Sequence, residues 1–141
     1  MARAPWLIAG AAAVALAGVV LLQRPAGGRR GGGEAASSAH PTPRPAITAV
    51  KVLPISFVPR TPGSAEAYAA ARNAAATLDG LYCYCDCSKN AGHRSLLTCF
   101  ETDHGAYCDV CMGEAMVANG MGQQGRSLEE IRTAIDRQFG S

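Results

Sequence analysis

The sequence predicts a small, mostly α-helical domain folded around a cysteine-rich loop, set behind an N-terminal membrane span and a disordered tether. Three observations carry this. Charge and proline divide the 141 residues: residues 1–63 hold seven Lys/Arg against one acid (Glu34), residues 64–141 hold six against ten, and seven of the eight prolines lie between Pro25 and Pro62. All six cysteines fall in the acidic C-terminal part. That part shows helical apolar periodicity with capping residues and no βαβ pattern. The organisation is therefore a signal anchor (1–23), a Pro/Gly-rich tether (24–60) and a cysteine-rich domain (61–141). A core of this size is marginal, so disulfides or a metal are expected to support it.

Trp6 to Leu22 is an unbroken apolar run of 17 residues, preceded by Arg3 and followed by Arg24, Arg29 and Arg30. At 1.5 Å per residue it sits at the short end of what spans a ~30 Å hydrocarbon core. It ends in Gln23-Arg24-Pro25 and lacks a small-residue cleavage pattern, so an uncleaved single-pass anchor is expected. Leu16-Ala17-Gly18 opens like a lipoprotein box, but Val19 occupies the position of the lipidated cysteine. Counted alone, the arginines after the span would hold the following domain in the cytoplasm.

Gln23 to about Thr61 is low in complexity, with glycine runs and Pro41, Pro43 and Pro45. Such a segment buries too little apolar surface to offset its ordering entropy, and about forty flexible residues reach on the order of 35 Å. Ile47, Val50, Val52, Leu53, Ile55, Phe57 and Val58 depart from this composition. They read as an extended strand docked on the domain, or as a partner-binding segment.

Within the domain, Thr61-Pro62-Gly63-Ser64 opens an Ala-rich helix that ends at Asp79-Gly80, with Tyr68, Ala71, Ala75 and Leu78 on one face. Leu81 to Cys87 alternates. A short helix over 94–100 buries Leu96, Leu97 and Phe100, and 101–105 reads as a loop. A helix from about Cys108 is stopped at Ala118 by Asn119-Gly120. Ser127 and Glu130 form a capping box for a last helix whose stripe is Leu128, Ile131, Ile135 and Phe139.

The chemistry lies in the cysteines. Cys83, Cys85 and Cys87 form C-x-C-x-C; Cys99 follows; His104 precedes Cys108-x-x-Cys111. In an extended segment the first three thiols would stand about 7 Å apart on one face, whereas a curled loop converges them on one centre. Thiolates select Cu(I), Zn²⁺ and iron–sulfur clusters. The same six cysteines also suit a disulfide framework, with fifteen possible pairings, or a thiol redox relay using Cys108 and Cys111. His93 reads as a structural helix-start residue. Met112, Met116 and Met121 read as core, with thioether ligation the sharper alternative. Asp79, Asp86, Asp103 and Asp109 read as a solvated acidic rim. A domain with net charge −4 (six Lys/Arg, ten Asp/Glu) is a poor nucleic-acid binder. Nothing resembles a hydrolytic triad, a phosphate loop or an acid/base carboxylate pair, so a non-enzymatic protein is expected.

Tyr82-Cys83-Tyr84-Cys85-Asp86-Cys87, then Gly92-His93-x-Ser95-Leu96-x-x-Cys99-Phe100 and His104-Gly105-x-x-Cys108-x-x-Cys111, resemble the PCYCGC-motif family of bacterial exported proteins. Gly125-Arg126-Ser127-Leu128-x-x-Ile131-Arg132 resembles its closing helix. Tyr82 replaces the family's Pro and Asp86 its Gly. The resemblance implies an exported, metal-binding domain, and it is weighed above the arginine count to set the cysteine domain on the extracytoplasmic side of the cell membrane. The expected ligands are Cys83, Cys85, Cys87, Cys99, His104, Cys108 and Cys111. Copper(I) is favoured over zinc because tandem C-x-C suits low-coordinate or clustered thiolate copper. The expected role is sequestration or handover, with a membrane transporter or an enzyme being metallated as partner. A disulfide- or zinc-stabilised interaction module and a redox relay are the alternatives.

Overall fold

The computed structural model describes residues 40–140, Thr48 apart; the anchor at 6–22 and the tether up to residue 39 lie outside the described residues. Five α-helices follow in order: α1 (Ser64–Asn73), α2 (Ala75–Asp79), α3 (Cys87–Asn90), α4 (Asp109–Gln123) and α5 (Leu128–Phe139), with 3-10 turns at Ala49–Lys51, Ile55–Phe57, Leu96–Phe100 and His104–Tyr107. The mostly helical class expected from the sequence is the one found. Among the described residues no helix is long and apolar enough to cross a membrane.

The Ala-rich segment forms two helices instead of one. Gly63 takes φ +79°, a left-handed value that glycine tolerates, and turns the chain into α1. The Ser64 hydroxyl donates back to the carbonyls of Pro59 (2.7 Å) and Thr61 (2.9 Å). Ala74, with φ −111° and ψ +22°, then breaks the helix. The offset has a packing reason: α1 lies along α4, whereas α2 rests on the Leu96–Phe100 turn. Tyr68, Ala71, Ala75 and Leu78 stay buried across the break. Tyr68 meets Phe100 edge-on, with ring centroids 5.0 Å apart, and its hydroxyl donates to the Thr102 carbonyl at 2.6 Å.

α4 runs past Asn119-Gly120. Ala118 is buried and Met121 packs against the core, so the helix gains by continuing. It stops where Gly125 takes φ +74°, with Gly125 N–H bonded to the Gly122 carbonyl (2.9 Å) and Arg126 N–H to the Met121 carbonyl (3.1 Å), a Schellman motif. α5 starts as the sequence predicts: Ser127 Oγ accepts from Glu130 N–H, and the Glu130 carboxylate accepts from Ser127 N–H. Ile131 and Ile135 are buried, with Leu128 and Phe139 packed beside them.

The stretch 40–60, which composition assigns to the tether, lies on the domain. It forms turns and not the expected strand, since Pro54 and Pro59 interrupt any ladder. Val52 and Val58 are buried while Val50 and Phe57 are 83% and 72% exposed. Leu53 N–H donates to the Phe100 carbonyl (2.8 Å), and Arg72 donates to the Leu53 carbonyl (2.7 Å). His40 accepts at Nδ1 from Tyr82 N–H (2.9 Å), which leaves Nε2–H to donate to Asp136 (2.7 Å).

The strongest tie is electrostatic. Asp79, expected on a solvated rim, is fully buried and accepts from the Arg44 backbone N–H (2.6 Å), the Arg44 guanidinium (2.6 Å) and Arg94 (2.8 Å). Burial alone would raise its pKa; the Arg44 hydrogen bonds, with the charges of Arg44 and Arg94, outweigh that and hold it below the usual carboxylate range.

Two outcomes follow. A chain beginning at Thr61 is expected to be about 2–4 kcal/mol less stable to urea than one beginning at Ser37, because it lacks Val52 and Arg44. Asp79→Asn is expected to lose about 1–3 kcal/mol, discounted because both arginines are partly solvated. Since folding lowers the Asp79 pKa, its contribution is complete above about pH 4 and disappears as pH falls through the folded value. Urea unfolding of metal-free protein against pH should therefore show a shallower acid slope in the variant.

Candidate metal centre

The loop after α2 curls. Leu81 is pinned by its carbonyl to Leu96 N–H (2.8 Å), and Tyr84 N–H donates to Glu114 Oε1 (2.8 Å). Asp86 then takes φ +60°, ψ +25°, a left-handed conformation that Asp tolerates better than most residues, and starts the single turn of α3. This brings together the thiols that an extended segment would hold apart. The Cys83 and Cys85 sulfurs are 3.4 Å apart, and Cys85 and Cys87 are bridged as a disulfide. All six cysteines are described; that bridge is one pair, and the other four are free.

Two further elements bring ligands to the loop. Cys111, in the first turn of α4, places its sulfur 3.4 Å from Cys83 and 3.5 Å from Cys85. Cys99, on the Leu96–Phe100 turn, lies 3.6 Å from Cys87. His104 opens the next 3-10 turn, with Nε2 3.0 Å from the Cys87 sulfur. Three overlapping sets of donor atoms each lie within 4.8 Å: Cys83/Cys87/Cys99/Cys111, Cys85/Cys87/His104/Cys111 and Cys87/His93/Cys99/His104. The cysteine cluster is able to hold a metal ion.

Of the seven residues expected as ligands, six converge and Cys108 does not. Its extended backbone (φ −130°) makes it the N-cap of α4, where its sulfur accepts from Cys111 N–H at 3.4 Å. His93, expected to be structural, is within the cluster instead. Its Nδ1 is 3.3 Å from the Cys99 sulfur, and its ring meets His104 edge-on at 4.7 Å. Burial, helped by the charge of His104, lowers the His93 pKa and favours the neutral ring that a ligand requires. The methionines divide: Met112 is buried and Met116 exposed.

Glu114 is a further residue at this site, one that the spacing of the cysteines does not single out. It lies three residues after Cys111 on the buried face of α4, and its Oε2 is buried without a partner. Burial first, then the neighbouring Cys83 thiolate, raise its pKa to about 10, so it is a neutral acid at pH 7. Hydrogen bonds from Cys111 and Cys99, against the cost of burial, pull the Cys83 thiol down to about 3, while Cys111 retains its proton. These neighbours thus favour the thiolate form at Cys83. Because the neutral acid and an amide have similar shape and donor capacity, Glu114→Gln is expected to change stability by less than about 1 kcal/mol. Glu114→Ala, which strands the Tyr84 N–H, is expected to lose about 2–3 kcal/mol. Chemical denaturation of the reduced chain measures both.

The two departures from the PCYCGC pattern touch each other: Tyr82 Oη donates to Asp86 Oδ1 at 2.9 Å. Tyr82 also supplies a backbone N–H to His40 that a proline could not. No curated protein and no solved structure matches the chain. The family model described as a protein of unknown function with PCYCGC motif matches residues 37–141, which takes in the docked arm, the cysteine cluster and α5. On that match the chain belongs to the PCYCGC-motif family.

Proposed function

We propose that the domain is a soft-metal binding protein that takes copper(I) by preference and serves in sequestration or handover. The observation that supports this is the convergence of five cysteine sulfurs and two imidazoles in one buried cluster. Soft thiolates with few oxygen donors favour Cu(I) and Zn²⁺ over hard ions, and close C-x-C sulfurs suit low-coordinate copper. In this reading the protein is anchored through residues 6–22, holds the domain outside the cytoplasm, and passes its ion to a membrane transporter or an apo-enzyme. It binds and does not catalyse.

Cys85 and Cys87 ligate only when reduced. Two electrons and two protons from a thiol reductant convert their bridge to two thiols, and the reductant leaves as its own disulfide. That bridge favours a second reading, a thiol redox relay. Its reactive pair would be Cys85 and Cys87, because Cys108 caps a helix and is not bridged to Cys111.

The test is a Cu(I) titration of the reduced full-length chain against a chromophoric Cu(I) chelator, repeated with Zn²⁺. Cu(I) is expected to be withheld from the chelator, and Cys111→Ser to weaken binding by at least about 10–100-fold, the loss already seen when residues merely supporting ligands are changed. Cys108→Ser should bind as tightly as the parent. Tight zinc with no retention of copper would overturn the copper preference. Failure to bind either ion, with a reversible Cys85–Cys87 couple, would favour the relay.

A further inference from the structure

The cluster offers seven donor atoms, more than one soft ion uses: zinc takes four and thiolate copper fewer. A single ion on the four buried cysteines would leave three soft donors, the half-buried Cys85, His93 and His104, beside it without an ion. Among the overlapping donor sets, two compact ones share no residue and meet at the Cys85–Cys87 bridge. Cys83, Cys85 and Cys111 form a nearly equilateral triangle of sulfurs with edges of 3.4, 3.4 and 3.5 Å. The centre of such a triangle lies about 2 Å from each sulfur, and a small outward breath reaches the ~2.3 Å of a metal–thiolate bond. The second set is Cys87, Cys99, His93 and His104, whose donor atoms all lie within 4.8 Å of one another. Here Cys87 pairs with His104 Nε2 at 3.0 Å and Cys99 with His93 Nδ1 at 3.3 Å, and the two sulfurs are 3.6 Å apart.

We infer that the domain holds two soft-metal ions side by side: one in a Cys₂His₂ position (Cys87, Cys99, His93, His104) with the donor set of a structural zinc site, and one on the three-thiolate face (Cys83, Cys85, Cys111), suited to Cu(I). This rests on the metal-binding reading above. It also gives the C-x-C spacing a purpose. Cys85 and Cys87 are neighbours in the cluster, yet each serves a different ion, so the bridge between them removes one ligand from each position. Reduction by a thiol, as balanced above, restores both at once. The competing arrangement is one tetrathiolate site of Cys83, Cys87, Cys99 and Cys111, whose sulfurs also lie within 4.8 Å. It leaves Cys85 and both histidines unused.

The experiment uses the full-length chain in detergent, reduced and anaerobic, with cadmium as a probe that enters both kinds of site. Native mass spectrometry counts the ions, and cadmium NMR resolves their environments. Two ions and two resonances are expected in the parent, and one ion in His93→Ala/His104→Ala with the sulfur-rich resonance retained. X-ray absorption of the singly zinc-loaded parent, which needs no variant to fold, is expected to show both sulfur near 2.3 Å and imidazole nitrogen near ~2.0–2.1 Å. One ion per parent chain in an all-sulfur shell would overturn the two-ion arrangement and leave the metal-binding function standing. Two ions retained by the double histidine variant would overturn the Cys₂His₂ assignment. No ion at all would remove the reading beneath both.

Discussion

The constraint on which this domain depends is the burial of soft, ionisable groups at its centre. Cys83, Cys87, Cys99 and Cys111 are almost fully shielded from solvent, with Glu114 beside them. Sulfur as a thiol is at ease in an apolar core, but a set of buried thiolates is not, because each carries a charge removed from water. The cluster relieves this in two ways. Protons are shared unequally: the neighbours pull Cys83 toward the thiolate and push Cys111 and Glu114 toward their protonated forms. A soft cation would relieve it more completely by replacing the shared protons, which makes metal affinity pH-dependent and couples it to folding.

The surrounding structure serves to hold several separate chain segments at that centre. Each ligand-bearing piece is short: a curled loop, a single helical turn, two 3-10 turns and the first turn of α4. None would keep its geometry alone. They are fixed by α1 and α4 packed on each other, by the Tyr68–Phe100 pair, and by the arm of residues 40–60. Asp79 gathers the arm, the end of α2 and the start of the Cys99 segment through Arg44 and Arg94. Asp136 on α5 similarly accepts from both His40 and Tyr84, joining the arm to the C-x-C-x-C loop. Polar ties of this kind do the positioning that a larger apolar core would otherwise provide.

What was legible in the sequence was local. The α5 capping box and the Tyr68 to Leu78 face depend on short-range periodicity, whereas the C-x-C-x-C spacing left open whether the loop curls onto Cys99, His104 and Cys111, which lie 12 to 28 positions from their partners in it. Docking of the Ile47 to Val58 stretch was legible from its apolar composition, but its site was not, because Arg44–Asp79 and His40–Asp136 join residues 35 and 96 positions apart, and a proline-rich stretch gives no local sign of its partners. The helix end moved from Gly120 to Gly125 because either glycine can cap, and burial of Ala118 and packing of Met121 decide between them. Cys108 and His93 exchanged roles for a related reason. A C-x-x-C pattern does not reveal that its first member will turn back to cap the helix, and a lone histidine does not reveal its cross-chain neighbours. Glu114 did leave a signal: it shares the buried face of α4 with Cys111, Ala115 and Ala118, and a glutamate on an apolar helix face is uncommon without a use.

The central claim is that these cysteines form a metal-binding thiolate cluster and not a disulfide framework. Its most direct test is elemental analysis and a thiol count on one sample of the full-length chain, purified anaerobically without added metal. Stoichiometric copper or zinc is expected, with six titratable thiols after the ion is removed where the Cys85–Cys87 bridge is reduced and four where it is intact. A metal-free chain with no titratable thiols would contradict the claim.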